Sequence, residues 1–181
     1  TNVSGYGVEG LVAYEAVPPP YVKMHSQYFR EAGYYTSNNA KEDYQFRKAI
    51  TAWDESSNQA HWRKRAPGQP FFSIFNFGIT HESQVWAQAE NPLRVPDDLE
   101  VPIPPYLPDT EIARQDVRQV YSNITAMDEQ VGRILDELEA DGLLESTVIF
   151  WYTDHGGPLP RQKRLLYDAG LHVPMIIRYP D

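Results

Sequence analysis

The sequence predicts an α/β fold with a mainly parallel sheet flanked by helices. Two apolar runs, at residues 71–77 and 147–153, have the length and side-chain content of strands buried on both faces. Between them lies a long segment whose apolar residues recur every three or four positions, as on one side of a helix. Strands that alternate with helices in this order form parallel sheets with helices packed against them.

The first predicted elements precede residue 71. Residues 21–32 predict a short helix that ends at Gly33, because glycine is favoured just past a helix C-cap. Residues 33–36 predict a short strand. Residues 47–69 contain two tryptophans and several basic residues with little periodicity, and we expect them to form a surface excursion.

The second half of the chain has the strongest periodic pattern. A long amphipathic helix is predicted to end at Asp141-Gly142. Its apolar stripe comprises Val117, Val120, Tyr121, Ile124, Met127, Val131, Ile134, Leu135 and Leu138. Asp128 lies on this stripe, so we expect it to be a buried structural acid bonded to nearby donors. A third buried strand is predicted at residues 173–177.

The composition limits the classes of function. A formal net charge of −9 argues against a general nucleic-acid-binding protein, although a local basic pocket could still bind an anion. No run of about 18 apolar residues is present, so no membrane span is expected. The chain contains no cysteine and therefore no thiolate or disulfide chemistry. It begins with Thr1 and shows no signal peptide, and we expect a fragment or a processed form.

Polar side chains follow the predicted strands. Lys41 and Asp43 come after the predicted strand at residues 33–36, His81 after the one at 71–77, and Asp154-His155 after the one at 147–153. The carboxyl ends of the strands in an open α/β sheet converge on one crevice, so we expect these groups to meet. A basic group follows within one loop: Arg161, Lys163 and Arg164.

This set of side chains is suited to metal-assisted attack on an anionic tetrahedral ester. Asp154 and His155 would ligate the metal, while Lys41, His81 and Lys163 would hold the ester oxygens and protonate the leaving group. Each residue also has a structural interpretation. The acid could cap a turn, His81 could cap a helix, and the basic residues could be solvated surface charges.

Several other residues have less distinctive surroundings. Three tryptophans could stack on a sugar ring or pack a satellite core: Trp53, Trp62 and Trp86. Three histidines are expected to be structural or surface groups: His25, His61 and His172.

Four segments occur in an order that is typical of one family. They are YFREAGYYTSNNAKEDY, PFFSIFNFGITHES, NITAMDEQVGRILDELEADGLLESTVIFWYTDHGG and LPRQKRLLYDAGLHVPMIIRYP. Through them the chain resembles the central part of a sulfatase, in the alkaline-phosphatase superfamily. The resemblance implies an incomplete alkaline-phosphatase-like fold, and hydrolysis of sulfate esters or sulfamates with a divalent cation, most often calcium.

The resemblance also implies a role for individual residues. Asp154 matches a metal-ligating acid, and His155 stands where many sulfatases have Asn and some have His as the neighbouring ligand. Lys41 matches the lysine of the Gly-Lys-x-His element, which contacts the sulfate and the nucleophile. His81 matches the histidine that contacts the sulfate or the leaving oxygen, and Lys163 resembles a later basic residue that grips the sulfate.

Two residues depart from the family pattern. Asp43 stands where the family usually has a histidine, and an acid there cannot donate a hydrogen bond at neutral pH unless its pKa is raised. His155 brings a nitrogen donor, whereas calcium favours oxygen ligands.

The family's nucleophile element is absent from these 181 residues. Family members convert a Cys or Ser in a Cys/Ser-x-Pro-x-Arg element to formylglycine, and neither form of the element occurs here. We therefore expect residues 1–181 to be the central part of a sulfatase-type catalytic domain, inactive alone. The intact protein would need a formylglycine-generating enzyme, act on a small-molecule or glycan sulfate ester, and be periplasmic or secreted.

Two alternatives remain open at the level of sequence. One is a phosphodiesterase or phosphonate hydrolase of the same superfamily, because sulfate and phosphate esters share a shape and differ in charge. The other is a non-catalytic relative that binds an anion or a glycan.

Overall fold

The computed structural model describes residues 16–42, 44 and 46–180. The chain divides into two compact units, the first ending at Asn76 and the second beginning at Phe77. Each unit is described by itself below. Asp43, which departs from the family pattern, lies outside the described residues.

The first unit contains a three-stranded parallel sheet in which the first strand along the chain lies between the other two. Helix α1 (His25–Glu31) precedes β1 (Tyr35–Asn39), which is followed by β2 (Glu55–Ser56) and β3 (Phe71–Phe75). Strands β1 and β3 pair in register from Tyr35 opposite Phe71 to Asn39 opposite Phe75. The predicted parallel sheet with flanking helices is confirmed in this unit.

The core of the first unit includes the segment that was predicted to be a surface excursion. Trp62 is 2% exposed and packs its ring 5.8 Å from Phe71 and 5.5 Å from Phe75. Trp53 is 7% exposed and stacks 6.0 Å from Phe72. The surface prediction was wrong because these rings cover the aromatic side chains of β3, which an aperiodic sequence pattern does not reveal.

Strand β1 carries buried polar residues that are satisfied by neighbouring strands and loops. The Ser37 and Ser73 hydroxyls lie 2.7 Å apart. The Asn38 amide donates to the Ser56 hydroxyl at 2.9 Å and accepts from the Asn76 amide at 3.0 Å. These bonds offset the cost of burying polar groups, and they fix the end of β1 where Lys41 follows.

The second unit is built on one long helix, α3 (Glu111–Ala140). Helix α2 (Ser83–Ala87) precedes it, and β4 (Ile149–Tyr152), α4 (Asp168–Leu171) and β5 (Met175–Arg178) follow. The Thr110 hydroxyl caps the first turn of α3 by accepting from the Ala113 amide at 3.3 Å. The helix ends in a left-handed Gly142 with φ 68°, and the Leu143 amide donates to the Leu138 carbonyl at 3.0 Å, as in a Schellman motif.

The buried side of α3 includes Val117 and Leu138 of the predicted apolar stripe but departs from that stripe in the middle of the helix. Gln119, Ser122 and Asn123 are at most 6% exposed, whereas Tyr121 and Ile124 are 40% and 46% exposed. Asp128 follows these two at helical spacing and is also exposed, so the prediction of a buried structural acid was wrong. Of the helices that the structure describes, none combines the length and apolar character needed to cross a membrane.

Strands β4 and β5 pair antiparallel, with Phe150 opposite Ile177 and Tyr152 opposite Met175. The sequence predicted buried strands here, but these four side chains are between 54% and 59% exposed. The prediction of buried strands was therefore wrong. Within the described residues, β4 and β5 pair only with each other, and these four side chains stay exposed. In the second unit, β4 and β5 thus form a two-stranded antiparallel sheet.

Candidate active site

His81 lies in the turn before α2, where its backbone amide donates to the Gly78 carbonyl at 3.1 Å. Its ring Nδ1 is 2.9 Å from the Ser83 hydroxyl and 3.3 Å from the Ser83 backbone nitrogen. The turn therefore holds the ring through Nδ1.

Lys163 meets the second ring nitrogen of His81. Its Nζ is 2.9 Å from His81 Nε2, although the two residues are 82 positions apart. A lysine ammonium can only donate, so Nε2 is the acceptor in this contact and its lone pair faces the Lys163 cation.

Glu82, the residue after His81, forms ion pairs with Lys163 and Arg164. Its side chain is only 14% exposed and lies 3.5 Å from Lys163 Nζ, and it also accepts hydrogen bonds from the Arg164 guanidinium, one of them at 3.0 Å. Burial opposes the charged carboxylate, but the adjacent Lys163 and Arg164 cations outweigh it and hold the pKa of Glu82 below its ordinary value. We name the cluster of His81, Glu82, Lys163 and Arg164 the charge clamp.

The sequence pattern drew attention to His81 and the basic group but missed Glu82 as a member of the cluster. The only signal was its position directly after His81. The partners of a carboxylate that lie 80 residues away cannot be read from local pattern.

The loop from Asp154 to Gly170 is closely packed. A Cβ added to Gly156 would lie 2.0 Å from the Ala169 carbonyl oxygen, and one added to Gly170 would lie 2.1 Å from the Leu165 carbonyl oxygen. The Gly156 amide donates to the Gly170 carbonyl at 3.0 Å, which closes the loop. Only glycine allows the two backbones to approach this closely.

Two arginines in the same loop have left-handed backbones, Arg161 with φ 66° and Arg164 with φ 70°. Such conformations cost roughly 1–3 kcal/mol for residues other than glycine and persist where the surroundings determine them. The Arg161 guanidinium is held over the Tyr167 ring at 4.6 Å and the Tyr106 ring at 5.4 Å. The two turns flank Lys163, whose backbone amide donates to the Gly157 carbonyl at 3.1 Å.

Asp154 and His155 follow β4 directly, as predicted from the sequence. The Asp154 side chain is 67% exposed, and its Oδ1 is 3.6 Å from His155 Nε2. His155 Nδ1 is 2.8 Å from the Gly156 carbonyl oxygen, which can only accept, so Nδ1 carries a proton and Nε2 is the ring nitrogen on the side of the carboxylate.

This orientation suits a metal ligand, since ligating histidines usually donate their other ring N–H to a carbonyl or carboxylate. The pair would supply one oxygen and one nitrogen donor to a cation. Within the described residues, however, no group of three or more His, Cys, Asp or Glu side chains is placed to hold a metal ion. Asp154 and His155 would therefore supply two of the ligands that a metal site needs, and the described residues do not supply a third of these types.

Lys41 is exposed in the turn after β1, where its backbone carbonyl accepts from the Asn38 amide at 3.1 Å. It belongs to the first unit, and its role at a sulfate group stays a prediction.

The remaining sequence candidates take structural positions. Trp53 and Trp62 pack the core of the first unit, so the hypothesis that they stack on a sugar was wrong, whereas Trp86 is 64% exposed. His25 lies edge-on to Phe72 at 5.2 Å, and partial burial lowers its pKa. His61 caps a short 3-10 turn by accepting from the Arg63 amide at 3.2 Å. His172 is an exposed residue just after α4.

A family model described as Sulfatase matches residues 24–181. An ulvan-active sulfatase from Formosa agariphila is 48% identical over 206 residues, covering 95% of this chain and 35% of that protein. Human N-sulphoglucosamine sulphohydrolase is 34% identical over 85 residues, covering 47% of this chain and 17% of its own length. An N-acetylglucosamine-6-O-sulfatase from Bacteroides thetaiotaomicron is 37% identical over 71 residues, or 37% of this chain and 13% of that protein. The chain thus spans about a third of the first of these relatives, and less of the other two.

Proposed function

Because the chain belongs to the sulfatase family, we propose that the whole protein hydrolyses sulfate esters or sulfamates, with His81 and Lys163 contacting the sulfate group. The observation that carries this proposal is the 2.9 Å contact between Lys163 Nζ and His81 Nε2. Two nitrogen groups held this close, one of them cationic, form a site for an anion and for proton transfer.

The pair can serve two chemical needs of ester cleavage. Lysine has three N–H donors, and its contacts with His81 and Glu82 leave one for a sulfate oxygen. The N–H groups of this pair can donate to the leaving oxygen as negative charge develops there.

Asp154 and His155 are proposed to ligate a divalent cation, with calcium as the first candidate. Their support is the exposed carboxylate and the ring orientation that presents Nε2 toward it. A bound cation would stabilise negative charge on the sulfate oxygens. The nitrogen donor of His155 also makes manganese worth testing, since calcium favours oxygen ligands.

Two further parts of the proposal rest on resemblance to the family. Lys41 is proposed to contact the sulfate and the nucleophile, and the nucleophile itself is proposed to be a formylglycine outside these 181 residues, made by a formylglycine-generating enzyme. The absence of cysteine from the chain supports an external nucleophile.

The substrate class that we propose is a sulfated glycan. Three similar proteins are named for ulvan, N-sulphoglucosamine and N-acetylglucosamine-6-O-sulfate chemistry, which supports a carbohydrate over a simple aryl substrate.

The test is to assay the whole protein, matured to carry formylglycine, on a chromogenic aryl sulfate and the matching aryl phosphate. Wild type should prefer the sulfate, and His81→Gln should lower kcat/KM by about 100-fold or more, as for a lost acid–base group. A preference for the phosphate would favour the phosphoesterase alternative. Unchanged kcat/KM in the variant would remove His81 from the site.

A further inference from the structure

We infer that Glu82 is a positioning residue that sets Lys163 against His81, an inference that rests on the proposed function. Glu82 is a mostly buried carboxylate adjacent in sequence to the histidine, and it receives two cations from a loop more than 80 residues away. It is thus the link between the turn that carries His81 and the loop that carries Lys163.

The electrostatic reason is the proximity of two basic groups. The Lys163 side chain is only 17% exposed, and its Nζ lies 2.9 Å from a His81 ring nitrogen, so the cation is mostly shielded from water. The Glu82 carboxylate at 3.5 Å supplies the opposite charge that offsets this burial and holds the ammonium beside His81.

The backbone of the loop that carries Lys163 and Arg164 gives a second reason. Arg164 has a left-handed φ of 70°, which an arginine adopts only when its surroundings enforce it. Its side chain is 70% exposed and pairs with Glu82, so this ion pair links the turn next to Lys163 to the turn that carries His81. Losing the carboxylate charge would release both cations from the His81 side.

The experiment uses the whole, formylglycine-matured protein and a chromogenic aryl sulfate. Glu82→Gln keeps the side-chain volume and removes the charge, and we expect kcat to fall about 10- to 100-fold with a smaller change in KM, as for a misplaced catalytic group. Glu82→Asp should restore part of the loss because it restores the charge. The matched control is Glu129→Gln, which breaks the 2.6 Å ion pair with Arg94 in the same unit and should leave kcat within about twofold.

A double-mutant cycle tests whether Glu82 acts through Lys163. In a Lys163→Met background the effect of Glu82→Gln should shrink to about twofold or less, because the positioned group is gone. A full, independent loss in that background would show a general structural role and overturn the inference.

A second readout does not depend on turnover. The ¹⁵N resonances of the His81 ring, assigned by comparison with His81→Gln, should shift in Glu82→Gln and stay unchanged in Glu129→Gln. Unchanged His81 resonances in Glu82→Gln would overturn the inference whatever the activity. A wild-type protein that does not hydrolyse sulfate esters would instead count against the proposed function, and the resonances would still decide the role of Glu82.

Discussion

Glu55 in the first unit and Glu82 in the second are both mostly buried carboxylates that hold a lysine. Glu55 is 23% exposed and pairs with Lys64 at 2.6 Å, and Glu82 is 14% exposed and pairs with Lys163 at 3.5 Å. In both, burial opposes the charged form and the neighbouring cations hold the pKa below its ordinary value. The same pairing therefore occurs in two different settings.

The difference lies in what the lysine reaches. Lys64 is nine residues from Glu55 and belongs to the turn that carries the buried Trp62, so its ion pair closes a local structure. Lys163 lies in a loop 81 positions beyond Glu82, and its side-chain Nζ contacts Nε2 of His81. An ion pair of similar chemistry supports packing in one unit and, in the function that we propose, positions a catalytic lysine in the other.

The largest expected effect concerns the packing side of this comparison. Trp62→Ala removes an aromatic ring that is 2% exposed and should lower the free energy of unfolding by about 3–5 kcal/mol. Trp86→Ala, at a site that is 64% exposed, should change it by about 0.5 kcal/mol or less. Denaturant unfolding of the whole protein measures both, and equal effects would contradict the assignment of Trp62 to the core.

The next effect concerns the reactive side. Lys163→Met should lower kcat/KM on an aryl sulfate by about 100- to 1,000-fold, as when a donor to a developing charge is lost. Lys64→Met removes the corresponding lysine of Glu55 and should leave kcat/KM within about threefold. Similar losses in the two variants would erase the distinction between the ion pairs.

A smaller effect is expected from the glycines. Gly156→Ala would place a Cβ 2.0 Å from a carbonyl oxygen and should destabilise the loop by about 1–3 kcal/mol. Gly132→Ala, in the middle of α3 with nothing within 4 Å of the added Cβ, should be neutral or stabilise by up to about 1 kcal/mol. Thermal unfolding of the two variants compares them, and a harmless Gly156→Ala would show that the loop can open.

The smallest effect is a pH dependence. The folded-state pKa of Glu82 is lowered from 4.5, so the stability that the charge clamp contributes is complete above that pH and is lost as the pH falls through the folded value. The difference in Tm between wild type and Glu82→Gln should therefore shrink in acid. A difference that stays constant down to about pH 3 would show that the carboxylate is not stabilised by its cations.

These contrasts also show what the sequence could predict. Strand β3 and helix α3 have strong local patterns, so their existence followed from an apolar run and from periodicity, whereas β2 lies in a segment that was not expected to form a strand. The burial of Trp62 and the exposure of Asp128 did not, because each depends on which distant segments cover that position. Asp154 and His155 could be located at a strand end, whereas Glu82 gained its role only from cations about 80 residues away.

The central claim is that His81 and Lys163 bind the sulfate group. The most direct measurement is a crystal structure of the whole protein with a non-hydrolysable sulfamate or sulfate-ester analogue. We predict sulfate oxygens within about 3.2 Å of both Lys163 Nζ and the His81 ring, with Glu82 still on Lys163. An analogue bound elsewhere, with the His81–Lys163 contact unchanged and unoccupied, would contradict the account.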